Sequence, residues 1–418
     1  MSQPALKPDG GSDSRKTGNG TGFLPYGRQI IEDDDIAAVA EAMRGDLLTT
    51  GPFVARFERA LASTVGAKHA VVCANGTAAL HMAARALNLG PGSKVIVPTL
   101  TFLATASAPH MNGADIVFAD VDPETGLMGP KQLEEAIARA GHADALFNVH
   151  LNGQCGPLEE IAAIARAHDM KIVDDACHAL GTAYIAAGGS VSQIGANAFS
   201  DLSVFSFHPV KTIAMGEGGA VTTNDPQMAE RLERARCHGM VRSPDAFENV
   251  EAAFDEDGTA NPWYYELHEP EFNWRANDMQ CALGLSQLKK LGRFVARRRA
   301  VAAAYDGLLS DLSPLIRPTA RTRPCLPAWH LYAARIDFDL ARMSRASLMR
   351  SLAAEGIGTQ VHYLPVHRQP YYARRFGVQS LPGADRYYAR CLSLPLFASM
   401  DESDAARVAD ALRRHLGL

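Results

Sequence analysis

The sequence predicts an α/β protein: a large domain on a mostly parallel seven-stranded sheet, followed by a small C-terminal α/β domain. Between residues 69 and 223, seven short apolar runs recur with helical segments between most of them, the rhythm of strand, turn and helix. The run 202–207 is short, apolar and rich in β-formers, the pattern of a strand buried on both faces in a parallel sheet. Beyond residue 313 two strand-like and two helical segments make a second, smaller unit. A chain of 418 residues leaves room for two or three domains at roughly 150 residues each.

Residues 1–22 are rich in Gly, Ser, Lys and Asp, and a disordered tail is expected there. Residues 31–44 carry apolar positions at helical spacing, with Glu32 to Asp35 placing negative charge in the first turn, where the helix dipole favours it. A second amphipathic helix is expected over 53–65, after Leu47-Leu-Thr-Thr-Gly-Pro52. Strands follow at 69–73, 94–97, 115–119, 143–149, 170–175, 202–207 and 220–223, with helices at 78–89, 130–140 and 158–168. Residues 241–270 break the rhythm. They are acidic, end in Trp263-Tyr-Tyr265, and are long enough for a functional loop or a surface insertion. Asn277 and Gln280 are spaced as a capping pair, starting a helix that continues with a break through 309. The remainder offers strands at 331–338 and 358–363 and helices at 345–355 and 402–416. The domains expected are 23–276, a connecting pair of helices over 277–313, and 314–418.

The net charge of −5 gives no electrostatic footprint for nucleic acid or an anionic membrane. There is no apolar run of about 18 residues and no signal-peptide core, so a cytoplasmic protein is expected. The seven cysteines are odd in number and widely spaced, and read as small buried residues in a reducing compartment. Arg297 to Arg299 read as one solvated helix face. No metal site is expected: His-Glu-x-x-His is absent, and His362 and His367 are poorly spaced as ligands.

The candidate site is centred on Lys211, which follows the run 202–207 and precedes the glycines Gly216, Gly218 and Gly219 of a tight turn. Open α/β sheets bind ligands at the carboxyl ends of their strands. Burial there leaves an amine partly neutral and nucleophilic, fit to form a Schiff base. Taken alone, Lys211 reads as a surface lysine; its neighbours change that. Ser206 offers a hydroxyl to a phosphate, and Asp175, closing the run 170–175, offers a carboxylate with His178 after it. A pyridine cofactor needs a lysine, a carboxylate for its ring nitrogen, and amides for its phosphate. Asn75-Gly-Thr-Ala-Ala-Leu80 opens a helix whose amides suit a phosphate, or is simply a capped helix. Phe102, in Thr99-Leu-Thr-Phe102, lies on a flat ring or in the core.

In this order, Asn75-Gly-Thr-Ala78, Pro98-Thr-Leu-Thr-Phe102, Asp174-Asp-Ala-Cys-His178, Ser206-Phe-His-Pro-Val-Lys211, Gly216-Glu-Gly-Gly219 and Phe272-Asn-Trp-Arg275 resemble the nucleotide-sugar aminotransferases. These are DegT/StrS-type, fold-type I pyridoxal 5'-phosphate (PLP) enzymes. The resemblance implies that Lys211 carries the cofactor as a Schiff base, that Asp175 rather than Asp174 meets the pyridine nitrogen, and that His178 meets the ring hydroxyl. It implies Thr77 and Ala78 as the phosphate-binding pair with the Ser206 hydroxyl, and Phe102 as the stacking aromatic. Asn273 matches an asparagine supplied to the phosphate by a neighbouring subunit, which implies a homodimer with shared active sites.

Arg275, beside Asn273, is a candidate for a substrate carboxylate or phosphate. Thr50 in Leu48-Thr-Thr-Gly-Pro52 and the segment 263–266 are candidate walls of the nucleotide pocket, since neither has an evident structural task. His362 and His367 are candidates for the sugar or nucleotide pocket.

Within the family the likeness is greatest to the aminotransferases of pseudaminic-acid biosynthesis. It is carried by Val204 to Lys211, Pro262-Trp-Tyr-Tyr-Glu266, Phe272 to Arg275, Ala282 to Lys289 and Gln360-Val-His-Tyr-Leu-Pro-Val-His367. It implies amination of C4 of a UDP-linked 4-keto-6-deoxy-N-acetylhexosamine with L-glutamate as donor, through ping-pong kinetics. Thr212 stands where a proline is usual and Cys177 where an alanine is usual. An enzyme of the same fold acting at C3, or on a dTDP- or GDP-sugar, is the alternative. A sugar dehydratase would carry histidine where Lys211 stands. A cofactor-free sugar-binding protein would keep the fold and lose the chemistry.

Overall fold

Apolar five-residue runs become the strands of the central sheet, and the segments between them become its helical cover. The computed structural model describes residues 22–417, so the tail expected over 1–22 lies outside the described residues up to Gly22. Two helices come first, α1 (Asp33–Arg44) and α2 (Pro52–Val65), the latter starting on a proline whose missing N–H costs nothing at a first turn. Then the alternation sets in: β1 (His69–Cys73), α3 (Gly76–Ala86), β2 (Lys94–Pro98), α4 (Leu103–Met111), β3 (Asp115–Ala119), α5 (Pro130–Ala140), β4 (Ala145–Val149), α6 (Leu158–Ala167) and β5 (Lys171–Asp175). A short hairpin, β6 (Ala183–Ile185) and β7 (Val191–Gln193), precedes β8 (Leu202–Ser206), β9 (Gly219–Thr223) and α7 (Pro226–Arg236).

The large sheet runs in the order β1-β9-β8-β5-β4-β2-β3. Pairs β2/β3, β2/β4, β4/β5 and β5/β8 are parallel, while β9 is antiparallel to both β8 and β1. A parallel return needs a crossover, usually a helix, and the turn from β8 to β9 contains none, so β9 comes back antiparallel. That turn carries Lys211.

Several helices were not anticipated, α4 and α7 among them. α4 is buried along much of its length and contains Pro109, so it shows no amphipathic period. α7 did carry start signals, Asp225 as an N-cap whose carboxylate accepts from Gln227 and Met228, and Pro226 after it.

Residues 241–270 are not structureless. They hold β10 (Met240–Val241), a short α8 (Val250–Ala253) and β11 (Glu266–Leu267), gathered on the Glu266 carboxylate. It accepts from the amides of Glu248 and Asn249 at 2.8 Å each, from Tyr264 Oη at 2.9 Å, and pairs with His268 at 2.7 Å. Helices α9 (Asp278–Leu288) and α10 (Leu291–Leu309) follow, the first with the expected Asn277–Gln280 capping box.

A second sheet has the order β12-β14-β15, from β12 (Ile316–Pro318), β14 (Tyr332–Ile336) and β15 (Cys391–Leu394), while β13 (Cys325–Leu326) joins the β6/β7 hairpin. Helices α11 (Arg345–Ala354), α12 (Pro370–Phe376), α13 (Pro382–Arg390) and α14 (Glu402–Leu416) complete the chain. Its apolar residues form a cluster of their own with α10, α11 and α14. The strand expected at 358–363 does not form: its backbone pairs with β15 only at Gln360, opposite Ser393. The solvated arginine face is also corrected. Arg298 is 1% exposed, and its guanidinium donates to the carbonyls of Trp329, His330, Leu396 and Lys211. Among the described residues, no helix is long and apolar enough to cross a membrane.

Candidate active site

The site forms where the carboxyl ends of β5 and β8 meet the start of α3. Two glycines allow this approach. A Cβ on Gly219 would lie 2.3 Å from the Asn75 carbonyl oxygen, and one on Gly76 would lie 2.9 Å from Ser206 Cβ and 3.3 Å from Cys177 Sγ. The first turn of α3 is thereby pressed against Ser206. Asn75 caps that helix by accepting from the Ala78 amide at 2.9 Å. The Ala78 amide is therefore engaged, and the donors left open at this helix start are the amides of Gly76 and Thr77. Together with the Ser206 hydroxyl they make a place for an anion.

Asp175 ends β5. Its carboxylate accepts from Thr105 Oγ1 at 2.6 Å and from the Cys177 amide at 3.1 Å. Asp174 points the other way, as successive strand residues do. It lies 3.3 Å from His150 Nε2, at ion-pair distance without hydrogen-bond alignment, and accepts from Asn148 at 3.2 Å. Burial pulls the Asp174 carboxyl up, but His150 outweighs it and holds the group below its ordinary range. Lys211 sits in the turn after β8, its amide donating to the His208 carbonyl at 2.8 Å. Burial lowers its amine below the usual lysine value, with Cys177 and Asp175 acting against that shift. Lys211 and Asp175 thus sense each other's charge in one buried site.

The facing wall is aromatic. His178 shares a hydrogen bond of 3.1 Å between Nε2 and Tyr363 Oη, and its Nδ1 has no partner. Burial, and then Lys211, hold this imidazole well below its ordinary value. The His330 ring lies 4.3 Å from it, centroid to centroid. His362 is buried with Nδ1 2.8 Å from Ser393 Oγ, and burial, then Lys211, push it down to about 3. Phe102 is 42% exposed with its ring 6.1 Å from Tyr363, leaving a face open to a flat ligand.

Lys211, Asp175, His178 and Ser206, with Thr77 and Phe102 beside them, are brought to one place. Four other candidates have different partners. Thr50 is exposed at a φ of +56°, its hydroxyl donating to the Thr49 carbonyl. Its stretch does have a structural task, since the buried Asp278 carboxylate accepts from the amides of Gly51 and Phe53 at 2.8 and 2.9 Å. Arg275 donates to Cys237 Sγ at 3.2 Å, and Asn273 is exposed, accepting from the Arg275 amide. His367 is bound to Thr99 at 2.7 Å within the core. Sequence reasoning missed Thr105, His330, Tyr363 and Arg298. Thr105 lies on the unanticipated α4 and His330 on chain without a motif, while Tyr363 falls within the run 360–367 but was given no role, and Arg298 was read as part of a solvated helix face.

The donor set suits a planar pyridine bearing a phosphate. It offers an amine of lowered basicity, a carboxylate fixed by two hydrogen bonds, a neutral imidazole with an unused nitrogen, and an open helix start beside a hydroxyl.

A family model described as the DegT/DnrJ/EryC1/StrS aminotransferase family matches residues 29–413. The chain is 37% identical over 394 residues to the spore coat polysaccharide biosynthesis protein SpsC of Bacillus subtilis, covering 94% of this chain and 96% of that protein. Among solved structures it resembles Helicobacter pylori PseC, an aminotransferase involved in the biosynthesis of pseudoaminic acid. The TM-score is 0.84 and the identity 28%, over 94% of this chain and 99% of that one. It also resembles Streptococcus pneumoniae Spr1654 in its PLP form, with a TM-score of 0.81 and 25% identity over 94% and 99% of the two chains.

Proposed function

Since the chain belongs to the DegT/DnrJ/EryC1/StrS aminotransferase family, we propose that it moves the amino group of L-glutamate to C4 of a UDP-linked 4-keto-6-deoxy-N-acetylhexosamine, for pseudaminic-acid-type glycans. The coarser activity is that of the family: a PLP-dependent sugar aminotransferase using an amino donor and a keto-sugar. The observation that carries the finer reading is the likeness to PseC over nearly the whole of both chains.

When bound, PLP supplies an aldehyde that condenses with amines and a protonated ring that takes up the electrons left when the neighbouring carbon loses its proton. The chain's own residues supply the rest. Lys211 would hold the aldehyde and, once displaced by the amino donor, take the proton from the donor carbon and return it to the cofactor carbon. Burial suits it to both tasks, because it disfavours the ammonium form. Asp175, oriented by Thr105 and the Cys177 amide, would keep the ring nitrogen protonated. The open amides of Gly76 and Thr77 with the Ser206 hydroxyl would take the phosphate, Phe102 one face of the ring, and His178 its hydroxyl. Keto-sugar entering the same site would be aminated by these steps in reverse, so two substrates alternate at one lysine.

Asn273 is read as serving the neighbouring subunit of a cytoplasmic homodimer, with Arg275 beside it receiving a substrate carboxylate or phosphate. In support, they hydrogen-bond to none of the cofactor residues of their own chain, and Phe272 beside them is an exposed large apolar residue.

The test is incubation with L-glutamate and a panel of UDP-, dTDP- and GDP-linked 3-keto and 4-keto sugars, locating the new amine by NMR. Preferential amination at C4 of the UDP-linked N-acetyl sugar is expected. Preferential turnover of a 3-keto sugar or of a dTDP- or GDP-sugar overturns the substrate, and no amination of any sugar overturns the activity.

A further inference from the structure

We propose that His330 is a positioning residue for His178, its ring lying against the His178 ring and excluding water from it. The inference rests on reading Lys211 and His178 as cofactor-site residues. The two ring centroids are 4.3 Å apart at an interplanar angle of 54°. His330 is 3% exposed, and its side chain makes no hydrogen bond among the described residues, with Nδ1 unpartnered. With Nδ1 unpartnered, what this buried imidazole presents to His178 is its face and its bulk.

The backbone around it is held from several sides. The His330 amide donates to the Asn152 carbonyl at 3.0 Å, and its own carbonyl accepts from Arg298 at 3.2 Å. Trp329 before it has a φ of +50°, where a bulky residue is strained and persists only if its surroundings insist. At Gly153 a Cβ would lie 2.9 Å from the His178 carbonyl oxygen and 3.0 Å from the amides of both Trp329 and His330. That glycine lets the two histidine segments close on each other. His178 is then fixed at two points, by Tyr363 at its edge and by His330 on its face.

The charged and titratable groups that act on His330 are His178, Lys211, Arg298 and His362, from four different segments, and none of them is an acid. Burial comes first and these neighbours add to it, so His330 stays neutral far below the ordinary histidine value, and its face keeps His178 dehydrated.

The experiment follows the His178 imidazole by NMR titration of the cofactor-free protein carrying 15N-histidine, its signal assigned with His178→Asn. In His330→Ala the His178 midpoint should move up by about one pH unit, as water reaches the ring. In His330→Phe, which keeps an aromatic face, it should stay low. In the cofactor-loaded enzyme the acid limb of kcat/KM should move with it, leaving His330→Ala about tenfold slower than the native enzyme near the limb, with His330→Phe recovering most of the loss. If His330→Ala does not fold, His330→Asn takes its place. His178 titrating in His330→Ala, or in the His330→Asn that replaces it, as in the native protein, or His330→Phe behaving as the alanine variant does, overturns the inference. Failure of the cofactor to attach to Lys211 in the native protein would instead overturn the reading beneath it, and the cofactor-free titration tells these apart.

Discussion

On the sheet side of the site, Asp175 and Ser206 end parallel strands and Lys211 follows in the turn, so their places are fixed by the strand ladder itself. The opposite side has no ladder. His330, His362 and Tyr363 sit on irregular chain, held by scattered contacts rather than a ladder: the His330 amide and carbonyl on Asn152 and Arg298, the His362 ring on the Ser393 hydroxyl, the Tyr363 phenol on His178. The first wall carries the groups proposed to change charge or bond, and the second carries neutral rings. A regular sheet can place reacting atoms with little local help, while the facing wall needs buried anchors, of which Arg298 is the main one.

The largest effect expected of any change falls on the sheet side. Lys211→Ala should lower kcat by at least about a thousandfold, because it removes both the nucleophile and the proton carrier. Borohydride should then fix no cofactor to the chain. Turnover within a few-fold of the native rate, measured with glutamate and keto-sugar, would remove this residue from the chemistry and erase the contrast between the walls.

The facing wall should respond in stability as well as rate. Arg298 is wholly buried with no carboxylate partner among the described residues, and burial lowers its guanidinium to about 10. Arg298→Met relieves that desolvation but leaves the carbonyls of Trp329, His330 and Leu396 without this donor. Orphaned carbonyls cost roughly 1–3 kcal/mol each, so the orphans should win and denaturant unfolding should show a loss of about 3 kcal/mol. A stability equal to or above the native value would mean that the guanidinium is only tolerated there.

The same asymmetry explains what the sequence showed and what it hid. Strands 115–119 and 202–207 were legible because burial leaves them short runs dominated by large apolar β-formers, and the Lys211 turn was legible through its glycines. Helix α4, and with it Thr105, was hidden because a helix buried along much of its length has no polar face to give it a period. Residues 358–363 read as a strand from composition, but their backbone pairs with the edge strand β15 at Gln360 alone. Arg298 was misread for a general reason. Three consecutive arginines look solvated, and the carbonyls that bury the middle one come from segments 31 and 98 residues later in the chain.

A pH series sharpens the comparison further. His178, His330 and His362 all have lowered values in the folded state, so the unfolded chain binds more protons than the folded one below about pH 6.5. Stability should therefore fall as pH drops from there, each histidine adding about 1.3 kcal/mol per pH unit near pH 5. His150, on the core side of β5, has the opposite sign: burial lowers it, but Asp174 outweighs that and raises it, so its contribution is present in acid and lost on the alkaline side. His362→Gln should reduce the acid slope by one histidine's share in denaturant titrations at pH 5, 6 and 7. An unchanged slope would show that His362 is solvated in the folded protein.

The smallest effect is expected in residues 241–270, which belong to neither wall. Their length suggested a functional loop, yet Glu266 gives them a structural centre. The Glu248 amide first of all, then His268, the Asn249 amide and Tyr264, outweigh burial and hold its carboxyl at about 2. A carboxylate lowered in the folded state stabilises the segment above its ordinary range near pH 4.5 and ceases to do so as pH falls toward 2. Glu266→Gln keeps the shape but loses the charge that several donors share. Amide exchange at Glu248 and Asn249 should then speed up by about tenfold, while the global unfolding midpoint stays in place, because local opening of such a segment does not require the core to open. If both amides exchange as before, the segment is held by its apolar contacts, Phe247 against Tyr264 and Phe254, and not by the carboxylate.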